Sequence, residues 1–223
     1  MRTLVIAPHP DDELLGCGGT LLRRSSEGCE LGWLLITAMD EDSGWSSERV
    51  IARSDEIKKV KDGLGIPDGR FFALNYPSSH VDQIPLSTLV SKICSAVNEF
   101  QPQEILVPFP GDAHSDHRIT FEAAGACMKW FRYPCVRRVM AYETPSETDI
   151  AFNPLSSAFK PNVFVEISEF LSAKLEMLEI YESELGEFPF PRSKGAIEAL
   201  ARVRGSQSGY KAAEAFMMLL ERS

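Results

Sequence analysis

The feature that most constrains this chain is an alternation. Apolar runs of strand length are separated repeatedly by longer stretches that carry apolar residues on a helical repeat. Leu4–Ala7 precedes a helical stretch from Glu13 to Ser25, and Leu31–Thr37 follows it, apolar almost throughout, as a strand buried on both faces should be. These three segments form a first β-α-β unit. The spacing then predicts a helix over Glu48–Leu64 closed by Gly65, a strand at Phe71–Leu74, a helix over Leu86–Phe100 ended by Pro102, and a strand at Ile105–Val107. A loop from Pro108 to about Asp116 leads into a helical stretch, His117–Phe131. Val136–Glu143 and Val163–Ile167 read as strands, Glu169–Ser183 and Ala196–Val203 as helices, and Gly186–Ser193 as the most exposed loop. Phe216, Met217, Leu219 and Leu220 form an apolar stripe of helical period, suited to the core or to a contact between copies in a homo-oligomer. The expectation is an α/β fold with a mostly parallel sheet. With 223 residues and no repeat or composition break, residues 1–223 make a single domain.

Composition enters to remove function classes. Hydrophobic residues at 44% and charged residues at 25% exclude a disordered or fibrous chain. The net charge of −9 repels polyanions on average, so nucleic acid is not an expected partner. Five cysteines with no C-x-x-C pair suit neither a disulfide framework nor a thiolate zinc site. The first apolar run is cut off by Pro8 and His9, far short of a signal peptide or a membrane span, so a cytoplasmic location without a span is expected.

The chemistry concentrates behind two strands. His9-Pro10-Asp11-Asp12-Glu13 places an imidazole and three carboxylates in one strand-to-helix turn. Ligands of open α/β sheets bind beyond the carboxyl ends of strands, which is where this turn lies. Helix capping explains one of the acids and leaves the rest and His9 unaccounted for. The glycines of Gly16-Cys17-Gly18-Gly19 do not complete a phosphate loop, because the last position of G-x-G-x-x-G is Leu21 and three carboxylates would repel a pyrophosphate; they read as close helix-to-sheet packing. The second cluster is Asp112-Ala113-His114-Ser115-Asp116-His117, again after a strand. Parallel strands end on one side, so the two loops face each other and can close a metal site of two imidazoles and one carboxylate with a position open for water. Two other readings use the same donors: a non-haem Fe(II) oxygenase, since two His and one carboxylate also make the iron facial triad, and a non-catalytic metal- or sugar-binding module.

Ala7-Pro8-His9-Pro10-Asp11-Asp12-Glu13 and His114-Ser115-Asp116-His117 resemble the signatures of the PIG-L/LmbE family of zinc-dependent N-deacetylases. Arg53-Ser54-Asp55-Glu56 with Leu64-Gly65, and Arg204-Gly205 with Ala213-Glu214-Ala215-Phe216, resemble further segments of that family, so the resemblance spans nearly the whole chain. Many members have Pro where this chain has Ser115, at a position that is not a ligand. The resemblance implies a Rossmann-like three-layer αβα sandwich with a metal site at the C-terminal ends of the strands. It implies His9, Asp12 and His117 as ligands of Zn2+ (Fe2+ or another divalent metal being the alternatives), Asp11 as general base and His114 as electrophile. Asp116 would then orient and charge His114, and either Asp11 or His114 would protonate the leaving amine. The implied substrate is a small N-acetylated amino sugar or glycoconjugate. Arg53 is a candidate substrate contact whose alternative is pairing with Glu56, while Tyr142 and Glu143, ending a strand, are candidates to face the substrate; for Tyr142 the alternative is a buried ring with a satisfied hydroxyl. Specificity would lie in loops 39–50, 75–85 and 144–160.

Overall fold

Strand β1 (Arg2–Ala7) is buried on both faces, and its alternate side chains enter two separate cores: Val5 and Ala7 on one side, Leu4 and Ile6 on the other. This two-sided burial requires helices above and below, and the computed structural model supplies them. It describes residues 1–152 and 158–223, so residues 153–157 of the 144–160 loop lie outside the described residues.

Among the described residues the other strands are β2 (Glu30–Ala38), β3 (Phe71–Pro77), β4 (Glu104–Pro108), β5 (Arg138–Tyr142), β6 (Val163–Glu166) and β7 (Ala213–Glu221). The helices are α1 (Asp12–Ser26), α2 (Ser47–Gly63), α3 (Leu86–Phe100), α4 (Ser115–Ala124), α5 (Leu171–Leu178) and α6 (Lys194–Ser208). The sheet order is β3-β2-β1-β4-β5-β7-β6, with the first five strands parallel and β7 antiparallel to both neighbours. Val5 of β1 lies in register with Trp33 of β2 and Leu106 of β4. The chain runs outward to β2 on one side of β1 and to β4 on the other, so the crevice between the ends of β1 and β4 is the switch point of the sheet. Both acidic, histidine-bearing motifs emerge there. The molecule is a Rossmann-like αβα sandwich.

Helix α1 carries the first motif at its N-terminus and is fixed to the sheet by its glycines. A Cβ on Gly16 would stand 2.3 Å from the Tyr142 ring, and one on Gly19 would stand 2.8 Å from Ile167. The helix breaks at Cys17 (φ −147°), which frees backbone groups inside the core. Glu214 of β7 accepts the N–H groups of Gly19 and Thr20 at 2.9 and 2.7 Å; Lys174 of α5 donates to Leu15 O at 2.9 Å and to Glu214 at 2.7 Å. The break is therefore sealed by a buried ion pair.

The structure corrects several element assignments. Residues 216–220 lie in strand β7, not in a helix; the run is apolar at every position because its mostly half-buried side chains pack on both cores, with a register shift between Met218 and Leu220, so it has no period-two signal and spacings such as 216, 217, 219 and 220 imitate a helix. The stretch predicted as His117–Phe131 is helical only to Ala124, continues as a tight 3-10 turn to Met128, and leaves Trp130 and Phe131 exposed. Likewise Glu169–Ser183 is α-helical over α5 alone and continues as tight turns over Glu179–Glu184. No described helix is long and apolar enough to cross a membrane.

Candidate metal centre and active site

The turn after β1 is strained. Asp11, at the N-cap of α1, has φ 135°, a region L-residues rarely adopt, and two more of the described positive-φ non-glycine residues, Ser79 and Ser146, belong to the same site. Neighbours hold the Asp11 backbone: its N–H donates to Glu13 Oε2 at 3.1 Å, and its carbonyl accepts from Leu14 and Leu15 at 3.0 and 2.8 Å. Glu13 is in turn fixed by the Tyr181 hydroxyl at 3.0 Å, and burial pushes its carboxyl up to about 8.

His9, Asp12 and His117 bring their ligand atoms within 4.8 Å of one another. Asp12 Oδ2 is the hub, 3.3 Å from His9 Nδ1 and 3.2 Å from His117 Nε2. Each imidazole has its other nitrogen on a carboxylate: His9 Nε2 on Asp116 at 3.1 Å and His117 Nδ1 on Asp112 at 2.8 Å. Such pairs fix ring orientation and make the remaining nitrogen a better donor to a cation. Asp112 is held by Thr148 Oγ1 at 2.6 Å, and Asp116 by the N–H groups of Ser79 and Val81 at 2.7 and 3.2 Å. His117 Nε2 is buried and makes no aligned hydrogen bond; its polar neighbour is Asp12 Oδ2 at 3.2 Å, so nitrogen and oxygen stand side by side, as two donors to one cation would. The donor set fits a divalent cation of the zinc type. A second group, His9, His114 and Asp116, also converges, but Asp116 already accepts from three partners and His114 Nδ1 is engaged elsewhere.

The carboxylates of the cluster favour the charged form of both imidazoles. Burial opposes charge on His9, but hydrogen bonds to Asp116 and Asp12 outweigh it and push the imidazole up to about 9; for His117 burial is outweighed by Asp12 and Asp112, to about 10. Burial also opposes ionisation of Asp12, yet His117 and His9 hold its carboxyl well below the usual range. Burial and then the charge of Asp12 push Asp11 up to about 7, against the pull of Arg192.

His114 differs from the expectation. It caps α4, its Nδ1 accepting the Asp116 N–H at 3.1 Å, so a neutral ring carries its proton on Nε2. Burial and then the nearby charge of His9 push it down to about 4. The His9 and His114 ring centroids lie 4.5 Å apart. Asp116 thus orients His114 through its backbone, while its carboxylate serves His9, and an imidazolium at His114 is not favoured.

Arg192 is the residue that sequence reasoning missed. It lies in the segment read as an exposed loop, and residues 186–190 are indeed exposed. Arg192 turns inward: Nη1 reaches Asp11 Oδ2 at 2.7 Å, Nε donates to Ser146 Oγ at 2.8 Å, and Nη2 lies 3.5 Å from Glu147. A signal was available in Arg192-Ser193 directly before α6, since Ser193 caps that helix and pins the loop end.

Of the three substrate candidates, Tyr142 is corrected. Its ring is fully buried against Gly16 and its hydroxyl donates to Ile6 O at 2.9 Å. Glu143 is bound by Arg204 through Nε at 2.7 Å and Nη2 at 2.5 Å, and lines a different cavity, beside Phe159. Arg53 lines the cavity over the candidate site but donates to Pro10 O at 2.9 Å and to Glu184, and its Nε is ion-paired with Glu56 at 3.0 Å without a hydrogen bond. The cavity over His9, Asp11 and His114 has a volume of about 230 Å³.

Known proteins resemble the chain along most of its length. Residues 4–128 match the PIG-L family, described as GlcNAc-PI de-N-acetylase. A diacetylchitobiose deacetylase from Thermococcus kodakarensis is 27% identical over 221 residues, covering 96% of this chain and 81% of the relative. A probable N-acetyl-alpha-D-glucosaminyl L-malate deacetylase 2 from Bacillus anthracis is 27% identical over 193 residues, 82% of this chain and 81% of the relative. Among solved structures, a conserved protein from Thermus thermophilus superposes with a TM-score of 0.78 at 27% identity, covering 99% of this chain and 96% of that one.

Proposed function

The chain belongs to the PIG-L family, and from that premise we propose that it hydrolyses the N-acetyl group of an amino-sugar-containing small molecule, releasing acetate and a free amine. The observation that carries the reading is the convergence of His9, Asp12 and His117, whose buried Nε2 faces Asp12 Oδ2 without an aligned hydrogen bond, beside the carboxylate of Asp11. The relatives named as deacetylases of N-acetylated sugars support it.

A divalent cation held by His9, Asp12 and His117, zinc in the first instance, supplies a Lewis acid and brings the pKa of water towards neutrality, roughly 7 in favourable sites. The chain's own groups do the rest. Asp11 accepts the proton of the attacking water, and Arg192 keeps that carboxylate oriented. The Nε2–H of neutral His114 donates to the amide oxygen as it gains negative charge. Protonating His114 a second time would break its bond from the Asp116 N–H, so Asp11 is the group that returns its proton to the leaving amine. The C–N bond then breaks.

Asp11→Asn tests the reading. The side chain keeps its shape and loses its basicity, so acetate release from N-acetylated amino sugars falls about 10²- to 10⁴-fold, while metal content by elemental analysis stays that of the unaltered protein. Turnover surviving at full metal content sinks the assignment of the base.

A further inference from the structure

The lining of the catalytic cavity bears on the substrate class. Apart from the groups of the metal centre, its charged side chains are Asp11, Glu147 and Glu184 against Arg53 and Arg192. Neither guanidinium is free. Arg53 donates to Pro10 O and Glu184 and is ion-paired with Glu56; Arg192 is held by Asp11, Ser146, Glu147 and, at 3.5 Å, Glu184. Among the described residues, no unpaired cation lines the cavity, and an anionic substituent there would face Glu147 and Glu184. Like charges brought together in this way are rejected, not merely left unrewarded. Sugar hydroxyls meet no such penalty, because each both donates and accepts and can bridge a guanidinium and a carboxylate.

The rim holds a second observation. Trp45, in the loop between β2 and α2, lines the same cavity with 44% of its surface exposed. A large indole left half in water at the mouth of a polar cavity offers a flat apolar face, which suits the C–H face of a pyranose ring. The volume of about 230 Å³ is below the roughly 300–1,000 Å³ of drug-sized ligand sites, so one ring enters and the remainder stays outside.

We propose that the substrate is an uncharged N-acetylhexosaminyl glycoside, its acetylated ring resting on Trp45 and its hydroxyls on the Arg192–Glu147–Glu184 wall, and that glycosides with anionic substituents are rejected by Glu147 and Glu184. The proposal rests on the deacetylase reading above.

The test compares two neutral compounds, N,N'-diacetylchitobiose and N-acetylglucosaminyl inositol, with two anionic ones, N-acetylglucosaminyl malate and N-acetylglucosamine 1-phosphate. For the metal-loaded protein kcat/KM is higher for the neutral pair by about tenfold or more, the equivalent of one 1.4 kcal/mol step. Trp45→Ala raises KM for the neutral pair about three- to tenfold with kcat little changed, and Trp45→Phe restores most of the loss. Glu184→Gln releases guanidinium donors and narrows the gap between the pairs. Equal or better use of the anionic pair overturns the proposal, as does an unchanged KM in Trp45→Ala. If no compound releases acetate, the deacetylase reading fails, and calorimetric binding of the same four compounds to the metal-loaded protein still ranks neutral against anionic. Tighter binding of the anionic pair, or no binding of the neutral one, sinks this proposal by itself.

Discussion

Helix α1 has a buried charged cluster at its N-terminus and another at its Cys17 break, and the two are satisfied in opposite ways. At the break, Lys174 and Glu214 use their groups on each other and on the freed backbone of Leu15, Gly19 and Thr20. Charge there repairs a helix. At the N-terminus, Asp11, Asp12, Asp112 and Asp116 surround two imidazoles, and His117 Nε2 lies beside Asp12 without an aligned hydrogen bond. Closure marks the structural cluster, and an excess of lone pairs marks the one that is to receive something.

Breaking the closed cluster has the largest expected effect on stability. Lys174→Met strands the Glu214 charge in the core, costs about 3–5 kcal/mol and lowers Tm by roughly 6–20 °C for a chain of this size; at temperatures where it stays folded, its affinity for zinc matches that of the unaltered protein. A comparable loss of zinc affinity in this variant would mean that the two ends of α1 are not separable. Filling the open cluster works in the other direction. Zn2+ at a hundredfold excess over its Kd adds about 2.7 kcal/mol, so thermal scans before and after chelation differ by roughly 5–11 °C, and a His117→Ala protein shows no such difference. The smallest effect concerns the groups behind the ligands. Asp112→Asn leaves the His117 ring less firmly fixed and weakens zinc binding about 10- to 100-fold, measured by competition with a chromogenic chelator; an affinity unchanged by Asp112→Asn would assign that carboxylate to the fold alone.

Legibility in the sequence followed the distance over which a feature is built. The β-α-β alternation carried the sheet through β4, because there each strand is a short apolar run with a helix after it, and β5 and β6 were legible as short apolar runs alone. It failed at β7, where apolar contacts on both faces and a register shift erased the alternation. The residues of the candidate metal centre lie within two short segments, so both were visible as clusters. The second carboxylate of each imidazole was less so: Asp112 stands in the motif yet carried no role, and Asp116 turned to His9 because the loop of Ser79 and Val81 fixes it there. Arg192 and its partners Ser146, Glu147 and Glu184 come from three separate segments, and no local pattern joins them.

The sequence by itself determined which groups are available and at which strand ends they emerge, since hydrophobic periodicity orders the strands and short motifs travel with them. Only the tertiary structure decided how protons and charges are shared among those groups. Which imidazole Asp116 serves and whether any arginine at the cavity is free depend on contacts between segments up to 181 residues apart, as in the pair Arg192–Asp11. Hydrogen bonding and Coulomb interactions act over a few ångströms of space and take no account of separation along the chain.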